Sequence, residues 1–328
     1  MQHYEKALSS SVAAHDLLSD GVFFRHFLLF VYDICIPTRA GDDNNTNMWA
    51  GHLTHLRLLA IQRHQLRGHE AHAYSYTLWT ICQLDMYACL MGSGACEFVE
   101  TITRNNMLPP LEHQIPPVLS PGTSPFHPHE ELQIFPAILH LHEGIILLTA
   151  KLAQTAHNFR TAIKSPSSPI PPSTYAQWQA TTSSLQNDLH TFWQQASHPI
   201  TPSPADSLAA STSLPPRVRP IFETSLLLYH AATIYSRTSM FPNQRHIPSA
   251  SQHDINADTE VRAQAILHLV QNQAFACRDM VFPVFMAGVA SADFGVQMRA
   301  VELMKEIEGE GIGGNIFRLR VLLGEVEG

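Results

Sequence analysis

The sequence predicts an all-α fold, built as an array of stacked antiparallel helix pairs joined by long Pro/Ser-rich loops. Apolar residues recur at helical spacing in most segments that lack proline. We find no alternating run of β-branched and aromatic residues flanked by tight-turn signals, as a β-hairpin would require. The chain has 328 residues and is 45% hydrophobic, which is enough to bury a large core. These observations exclude a disordered chain and favour one helical domain over residues 1–328.

Each helix in the first third is predicted from apolar spacing between breaks in the pattern. Gly92 and Gly94 separate the last two of them, because glycine favours a helix end over a helix interior. The predicted helices are Gln2–Leu18, Gly21–Cys35, Asn47–Arg67, Glu70–Leu90 and Cys96–Arg104.

The rest of the chain carries the same periodicity in longer stretches. The glycine-dense run at 309–314 lacks a phosphate-loop lysine and predicts a turn before the last helix. The predicted helices are Pro128–Lys164, Ser173–Ala196, Pro216–Arg237, Asp258–Cys277, Val281–Ser291, Asp293–Glu308 and Asn315–Val326.

Three segments rich in proline, serine and threonine interrupt the helices, at 108–128, 165–172 and 198–216. Proline at this density cannot continue a helix, and such segments bury little apolar surface, so surface loops are expected. The amphipathic helices on either side need one another as partners. The sequence therefore predicts loops inserted in one domain rather than linkers between domains.

Composition excludes several classes of protein. A net charge of −8 and a pI near 6.2 argue against a basic nucleic-acid-binding surface. Five cysteines in apolar runs are unlike a secreted disulfide scaffold. The first residues show no secretory signal, and the apolar run at 22–36 is too short for a membrane span. We expect a soluble intracellular protein.

Several histidines and cysteines are candidate metal ligands by their spacing. His52 with His55, and His69 with His72, are spaced to share a helix face, whereas His140 and His142 point to different faces. Neither an HExxH motif nor a CxxC pair accompanies them. Three cysteines repeat every seven residues, and we interpret them as small buried thiols: Cys82, Cys89 and Cys96. We predict no metal site.

The run that begins with Asp42-Asp43 supports an alternative hypothesis. It resembles the acid-rich magnesium motif of class I terpene cyclases, which are also all-α, and Mg²⁺ prefers several hard oxygen ligands. The third acid of that pattern is missing, because Thr46 and Asn47 follow instead. A loop ending in a helix N-cap explains the run better. We predict no catalytic residue and no cofactor, and keep an all-α enzyme or metabolite-binding protein as the alternative.

Several continuous stretches resemble the fungal-specific transcription factor domain, the regulatory region of binuclear zinc-cluster regulators. The segment 71–110 contains an aromatic-rich helix with Leu84-Asp85, a Gly-Ser-Gly break at 92–94 and an Asn-Met-Leu-Pro turn at 105–109. Upstream, Trp49 and His52-Leu53 match a Trp-x-x-His-Leu opening. Downstream, residues 281–312 are similar to the family's closing Phe-Pro-x-Phe-x-Ala-Gly segment and the helix after it.

The resemblance implies a nuclear regulator of RNA polymerase II transcription, with a metabolic or secondary-metabolite pathway as a candidate target. It implies action through co-regulator proteins, self-association or a small effector. The family contacts DNA through a six-cysteine zinc cluster, and that motif does not occur in this chain. Either the module was lost or lies outside the given sequence, or the chain is a stand-alone relative that acts through partners. By itself, the chain is expected to show no sequence-specific affinity for duplex DNA.

Asp85 stands out in the aromatic-rich helix that carries the resemblance. A carboxylate buried among apolar residues destabilises the fold unless it caps a neighbouring helix or meets an arginine. We consider Arg299 and Arg57 as its candidate arginine partners. Two apolar stripes are predicted to be buried by helix pairing: Tyr76, Trp79, Leu84 and Tyr87, and Phe282, Phe285, Met286 and Val289.

Overall fold

The part of the chain that the structure describes is helical and contains no strand, so the all-α prediction is confirmed. The computed structural model describes residues 19–35, 48–68, 75–92, 94–108, 129–163, 171–201, 207–242, 244, 252–272, 278–309, 320 and 323. The helices are α1 (Asp20–Cys35), α2 (Met48–Arg67), α3 (Ser75–Leu90), α4 (Glu97–Arg104), α5 (His129–Ile163), α6 (Pro172–Ser197), α7 (Ser207–Ser213), α8 (Arg219–Thr238), α9 (Gln252–Gln271), α10 (Val281–Ala290) and α11 (Phe294–Gly309).

Helices α5 and α8 pack against each other at the centre of the fold. On α5, Ile138, Leu141 and Ile145 are fully buried at the three- and four-residue spacing of one helix face. On α8, almost every side chain from Phe222 to Ser236 is buried. A helix that is apolar on all sides must be enclosed by others, which explains why α8 contacts five neighbouring helices.

The remaining helices are arranged around this central pair. Helices α3 and α6 pack on α5, whereas α9 and α10 pack on α8, and α11 packs on α10. Helices α1 and α2 pack mainly on each other, and α2 contacts α4. Most helices that are neighbours in the chain are thus neighbours in space, as expected for stacked helix pairs, whereas α6 and α7 lie between α5 and α8 in the chain.

An aromatic cluster fixes α6 beside α5 and the end of α8. The ring of Trp178 stacks on Phe159 with centroids 4.8 Å apart, and it meets Phe241 at 5.8 Å and Tyr175 at 5.6 Å. Pro172, expected in the preceding loop, opens α6 instead, because proline is well suited to the first helical position. The rest of the predicted loop at 165–170 lies outside the described residues.

The predicted loop at 198–216 is corrected, because it contains helix α7. Ser211 and Leu214 are buried there. Arg219 on α8 donates to the carbonyl oxygens of Thr212, at 2.9 Å, and Leu214, at 3.0 Å. These bonds satisfy groups that the end of α7 leaves free, so a short Ser-rich segment can form a helix in this context.

Other boundaries differ less. Helix α9 begins at Gln252 rather than Asp258 and ends at Gln271 rather than Cys277. The predicted helix Gln2–Leu18, most of Asn315–Val326 and the predicted loop after Leu108 lie outside the described residues.

Residues 133–163 of α5 are long and apolar enough to cross a bilayer by length and composition alone. Their apolar side chains nevertheless pack against α3, α6 and α8, and Leu152, Ala153 and Ala156 are fully buried there. We interpret α5 as the core helix of the array.

Candidate functional site

A polar cleft of about 770 Å³ lies between α6, α8, α9 and the carboxyl end of α10. Its volume is in the range of sites that bind small molecules, although such sites are usually more apolar. Most of its lining consists of amides, hydroxyls and two charged groups: Gln179, Gln186, Gln244, Asn256, Thr182, Ser183, Thr238, Thr259, Ser291, Arg237 and Glu260. We call this space the polar cleft.

The positive side of the polar cleft is an ion cluster between α8 and α9. Asp258 pairs with Arg237 and also with Nε of Arg262, at 2.7 Å. Burial alone would raise the pKa of Asp258, but the two guanidiniums outweigh it and hold the pKa below its ordinary value. His230 lies beside Arg262, and burial together with that cation lowers the pKa of His230 to about 3. The cluster therefore carries one more positive charge than negative near neutral pH.

Glu260 on α9 forms the negative side. The hydroxyl of Ser291 donates to its Oε1 at 2.6 Å, and the backbone N–H of Ala292 donates to its Oε2 at 3.2 Å. Both donors are uncharged, so the carboxylate has no counter-ion among the described residues. These bonds also fix α9 to the connection between α10 and α11.

Thr182 on α6 lines the polar cleft, and its hydroxyl is enclosed behind the cleft wall. The residue is only 3% exposed, and its Oγ1 has no hydrogen-bond partner within the described ranges. An unsatisfied buried hydroxyl costs about 1–3 kcal/mol. The hydroxyls of Thr149 and Ser197 are also unpartnered, but they do not line the cleft. Among these three hydroxyls, that of Thr182 is the one enclosed directly behind the described lining of the cleft.

Asp85 caps a neighbouring helix, which is one of the two possibilities that its place in the sequence left open. Its Oδ2 accepts hydrogen bonds from the backbone N–H groups of Phe98, at 2.9 Å, and Val99, at 3.1 Å. These are two of the N–H groups that the start of α4 leaves without intrahelical partners. Burial raises the pKa of Asp85 to about 6, although the two N–H groups and Arg57 act in the opposite direction.

The two arginines proposed as partners of Asp85 have other ion pairs. Arg57 pairs with Glu97 in the first turn of α4 and acts on Asp85 only through its field. Arg299 pairs with Glu302, at 2.9 Å, and with Glu306 on its own helix, so the prediction for Arg299 was wrong.

The three predicted structural cysteines are buried free thiols. Helix α3 ends at Leu90, Gly92 has a φ of 78°, and Cys96 follows with a φ of 55°, so the three cysteines do not share one helix. Burial raises the pKa of Cys82, and a hydrogen bond with Cys89, together with burial, raises that of Cys96. Thiols that resist ionisation in this way are poor nucleophiles and poor metal ligands.

The histidines have separate environments. His26, which sequence reasoning did not single out, stacks on His55 with ring centroids 5.1 Å apart and lies 3.5 Å from His52 between Nδ1 atoms. Burial lowers the pKa of His26 to about 4, with neighbouring His55, Arg25 and His52 adding to the effect.

His140 and His142 face different neighbours, as predicted. His140 meets the ring of Phe192 with centroids 5.5 Å apart, whereas His142 lies 3.0 Å from the hydroxyl of Ser225. Burial lowers the pKa of His142 to about 4.

The remaining candidate metal ligands lie outside the described residues, and those inside them form no cluster of three. His69, His72 and the Asp42-Asp43 run lie outside the described residues. Within the described part of the chain, no three His, Cys, Asp or Glu side chains lie close enough to hold a metal ion.

Sequence reasoning missed the polar cleft, because single residues from several helices line it. The one available signal is the unusual polarity of α6 around Thr181 to Ser184, which does not by itself indicate a site.

The two segments that carry the family resemblance meet in the core. The rings of Tyr87 on α3 and Phe282 on α10 have centroids 6.5 Å apart, and the Tyr87 hydroxyl donates to the carbonyl oxygen of Asp279 at 3.3 Å. Trp79 and Met286 are buried, as the stripes predicted, whereas the side chain of Tyr76 lies outside the description.

Comparison with known proteins agrees with the resemblance. The family model described as fungal specific transcription factor domain matches residues 1–326. Searches of curated proteins and of solved structures returned no match. The chain therefore belongs to the family of the fungal specific transcription factor domain, and its role is regulatory, in transcription.

Proposed function

We propose that this domain regulates transcription in response to a small polar effector that binds in the polar cleft, and that it acts in the nucleus. The observation that carries the proposal is the cleft itself, with the hydroxyl of Thr182, unsatisfied within the described ranges, enclosed behind its wall. A ligand that shifts the wall around α6 and gives this hydroxyl a partner removes the cost of an unsatisfied buried group.

The helices that form the cleft walls indicate how ligand binding changes the arrangement of the whole domain. Its walls come from α6, α8 and α9, and Glu260 connects α9 to the segment between α10 and α11. A ligand that stabilises one arrangement of these helices shifts the population of the whole packed array. The output is the affinity for a co-regulator protein or for a second copy of the chain.

A partner surface is favoured by the α1–α2 pair. Four large apolar side chains of this pair are between 47% and 66% exposed: Leu28 and Tyr32 on α1, and Leu58 and Leu66 on α2. Such exposure is typical of surfaces that bind other proteins. Contact with DNA, in this proposal, requires a zinc-cluster module on another part of the protein or on a partner.

The alternative of a terpene-cyclase-like enzyme has less support. Its motive was the Asp42-Asp43 run, and the family to which the chain belongs is regulatory and generally not enzymatic.

Thr182→Val tests the effector proposal. Valine has the shape of threonine without the hydroxyl, so we expect the free energy of unfolding to stay equal or rise by about 1 kcal/mol. We expect effector-dependent output to fall in a reporter strain that carries the full chain fused to a heterologous DNA-binding module. Urea unfolding and reporter activity measure the two effects.

Thr181→Val is the matched control, because the exposed neighbouring hydroxyl donates to the Gln177 carbonyl at 3.0 Å and does not line the cleft. It should leave the output unchanged. A Thr182→Val chain that is destabilised by several kcal/mol, or that retains its full reporter response, would contradict the proposal.

A further inference from the structure

We propose that the polar cleft selects an organic zwitterion, whose carboxylate binds at Arg237 and whose ammonium group binds at Glu260. The inference rests on the proposed function, since it names the class of effector that the cleft accepts. Free amino acids are the simplest molecules of this class.

The anion site follows from the charges around Asp258. This single carboxylate is shared by two guanidiniums, so among the described residues these three groups sum to one positive charge. Arg262 is mostly buried, and its guanidinium lies over the ring of Tyr229 at 5.2 Å. Arg237 is more exposed and lines the cleft, so it is the guanidinium that a ligand reaches. A guanidinium fork matches the geometry of a carboxylate.

The cation site is the carboxylate of Glu260. Each of its two oxygens accepts one hydrogen bond from an uncharged donor, and each retains a second acceptor position. An ammonium group has three N–H donors and a full positive charge, which suits this pair of oxygens.

The two opposite charges disfavour ligands that carry a single charge. Arg237 pairs with Asp258 instead of Glu260, so both signs are kept in the same cleft without neutralising each other. A simple anion would be attracted by Arg237 but repelled by Glu260. A simple cation would be attracted by Glu260 but repelled by Arg237. A ligand with both charges gains at both ends.

The remaining lining suits the body of a polar ligand. Gln186 and Gln244 donate to the Ser236 carbonyl oxygen at 2.9 and 2.8 Å, which fixes the two amides at the end of α8. The hydroxyl of Thr182, enclosed behind this lining, has no partner in the described part of the chain.

Isothermal titration calorimetry with the full chain tests the inference. The probes are α-amino acids, ω-amino acids and dipeptides, with acetate, ethylamine, acetamide and glucose as ligands that carry one charge or none. We expect saturable binding of at least one zwitterion. The corresponding acid or amine alone should bind roughly tenfold or more weakly, since each loses one charge-assisted contact.

Variants locate the binding. Glu260→Gln and Arg237→Gln should each weaken zwitterion binding roughly tenfold or more. Glu302→Gln, on the exposed face of α11 and outside the cleft, is the matched control and should bind like the wild type. Circular dichroism checks that each variant is folded. If Arg237→Gln unfolds because it loses its ion pair with Asp258, the binding result for Glu260→Gln alone tests the inference.

Three outcomes overturn the inference: no zwitterion binds at millimolar concentration, a zwitterion binds equally well to Glu260→Gln, or acetate or ethylamine binds as tightly as the zwitterion. Glucose or acetamide binding that depends on Thr182, without zwitterion binding, would overturn the inference and leave the proposed function intact. If no probe binds, the result counts against both. Zwitterion binding that depends on Arg237 and Glu260 but not on Thr182 supports the inference and contradicts the role of Thr182 in the proposed function.

Discussion

Trp193→Ala is expected to lower the free energy of unfolding by about 3–5 kcal/mol, the range for removal of a buried tryptophan. Trp193 on α6 is 2% exposed. Its ring stacks on Tyr229 of α8 with centroids 4.3 Å apart and lies 6.2 Å from Phe222. Since a domain is stable by only about 5–15 kcal/mol, this single change removes a large share of the total.

Urea unfolding of the wild type and of Trp193→Ala measures the loss. Trp193→Phe retains an aromatic ring and should lose about half as much or less. Tyr32→Ala removes an aromatic ring that is 47% exposed and should change stability by less than about 1 kcal/mol. A Trp193→Ala chain that melts within a few degrees of the wild type would show that the contact between α6 and α8 is not central to the fold.

Asp85→Ala is expected to cost about 2–4 kcal/mol, because it leaves the N–H groups of Phe98 and Val99 buried without an acceptor. Asp85→Asn keeps a side-chain oxygen at the same place and should restore most of the loss. Asp293 provides the comparison, because its exposed Oδ1 accepts a hydrogen bond from the Gly295 N–H at 2.7 Å. Asp293→Ala should lower the free energy of unfolding by only about 1 kcal/mol, and Asp293→Asn should restore most of that loss.

Chemical denaturation measures these losses, and hydrogen exchange at Phe98 and Val99 locates them. If Asp85→Ala and Asp85→Asn are equally destabilised, the capping role of Asp85 is incorrect.

The titration of Asp85 gives an independent test by pH. Burial raises its pKa to about 6 in the folded chain, above the ordinary value of 3.8, so the folded state binds the proton more tightly than the unfolded state. The stability that this group contributes is fully present below about pH 4 and is lost as the pH rises through 6. The difference in unfolding free energy between wild type and Asp85→Asn should therefore change by about 2 kcal/mol between pH 4 and 7.5, in favour of the variant at high pH. A difference independent of pH would refute the raised pKa.

The sequence alone determined the helical class, most helix positions and the family. Apolar periodicity is a local property, and it reports which face of each helix is buried regardless of what covers it. The stripes around Trp79 and Met286 were therefore correct before any contact was known, and the Gly-Ser-Gly break correctly ended α3 near Gly92.

The tertiary structure alone decided which groups meet. The sequence showed that Asp85 needs a partner, but the partners are backbone N–H groups, which every non-proline residue carries and which leave no mark in the sequence. Similarly, α7 lies in a segment predicted as a loop, and it is held by Arg219, which donates to the carbonyl oxygens of Thr212 in its last turn and of Leu214 just after it. The polar cleft brings Thr182, Arg237 and Glu260 together from three helices. A motif records residues that are close in sequence, whereas this site depends on how the helices pack.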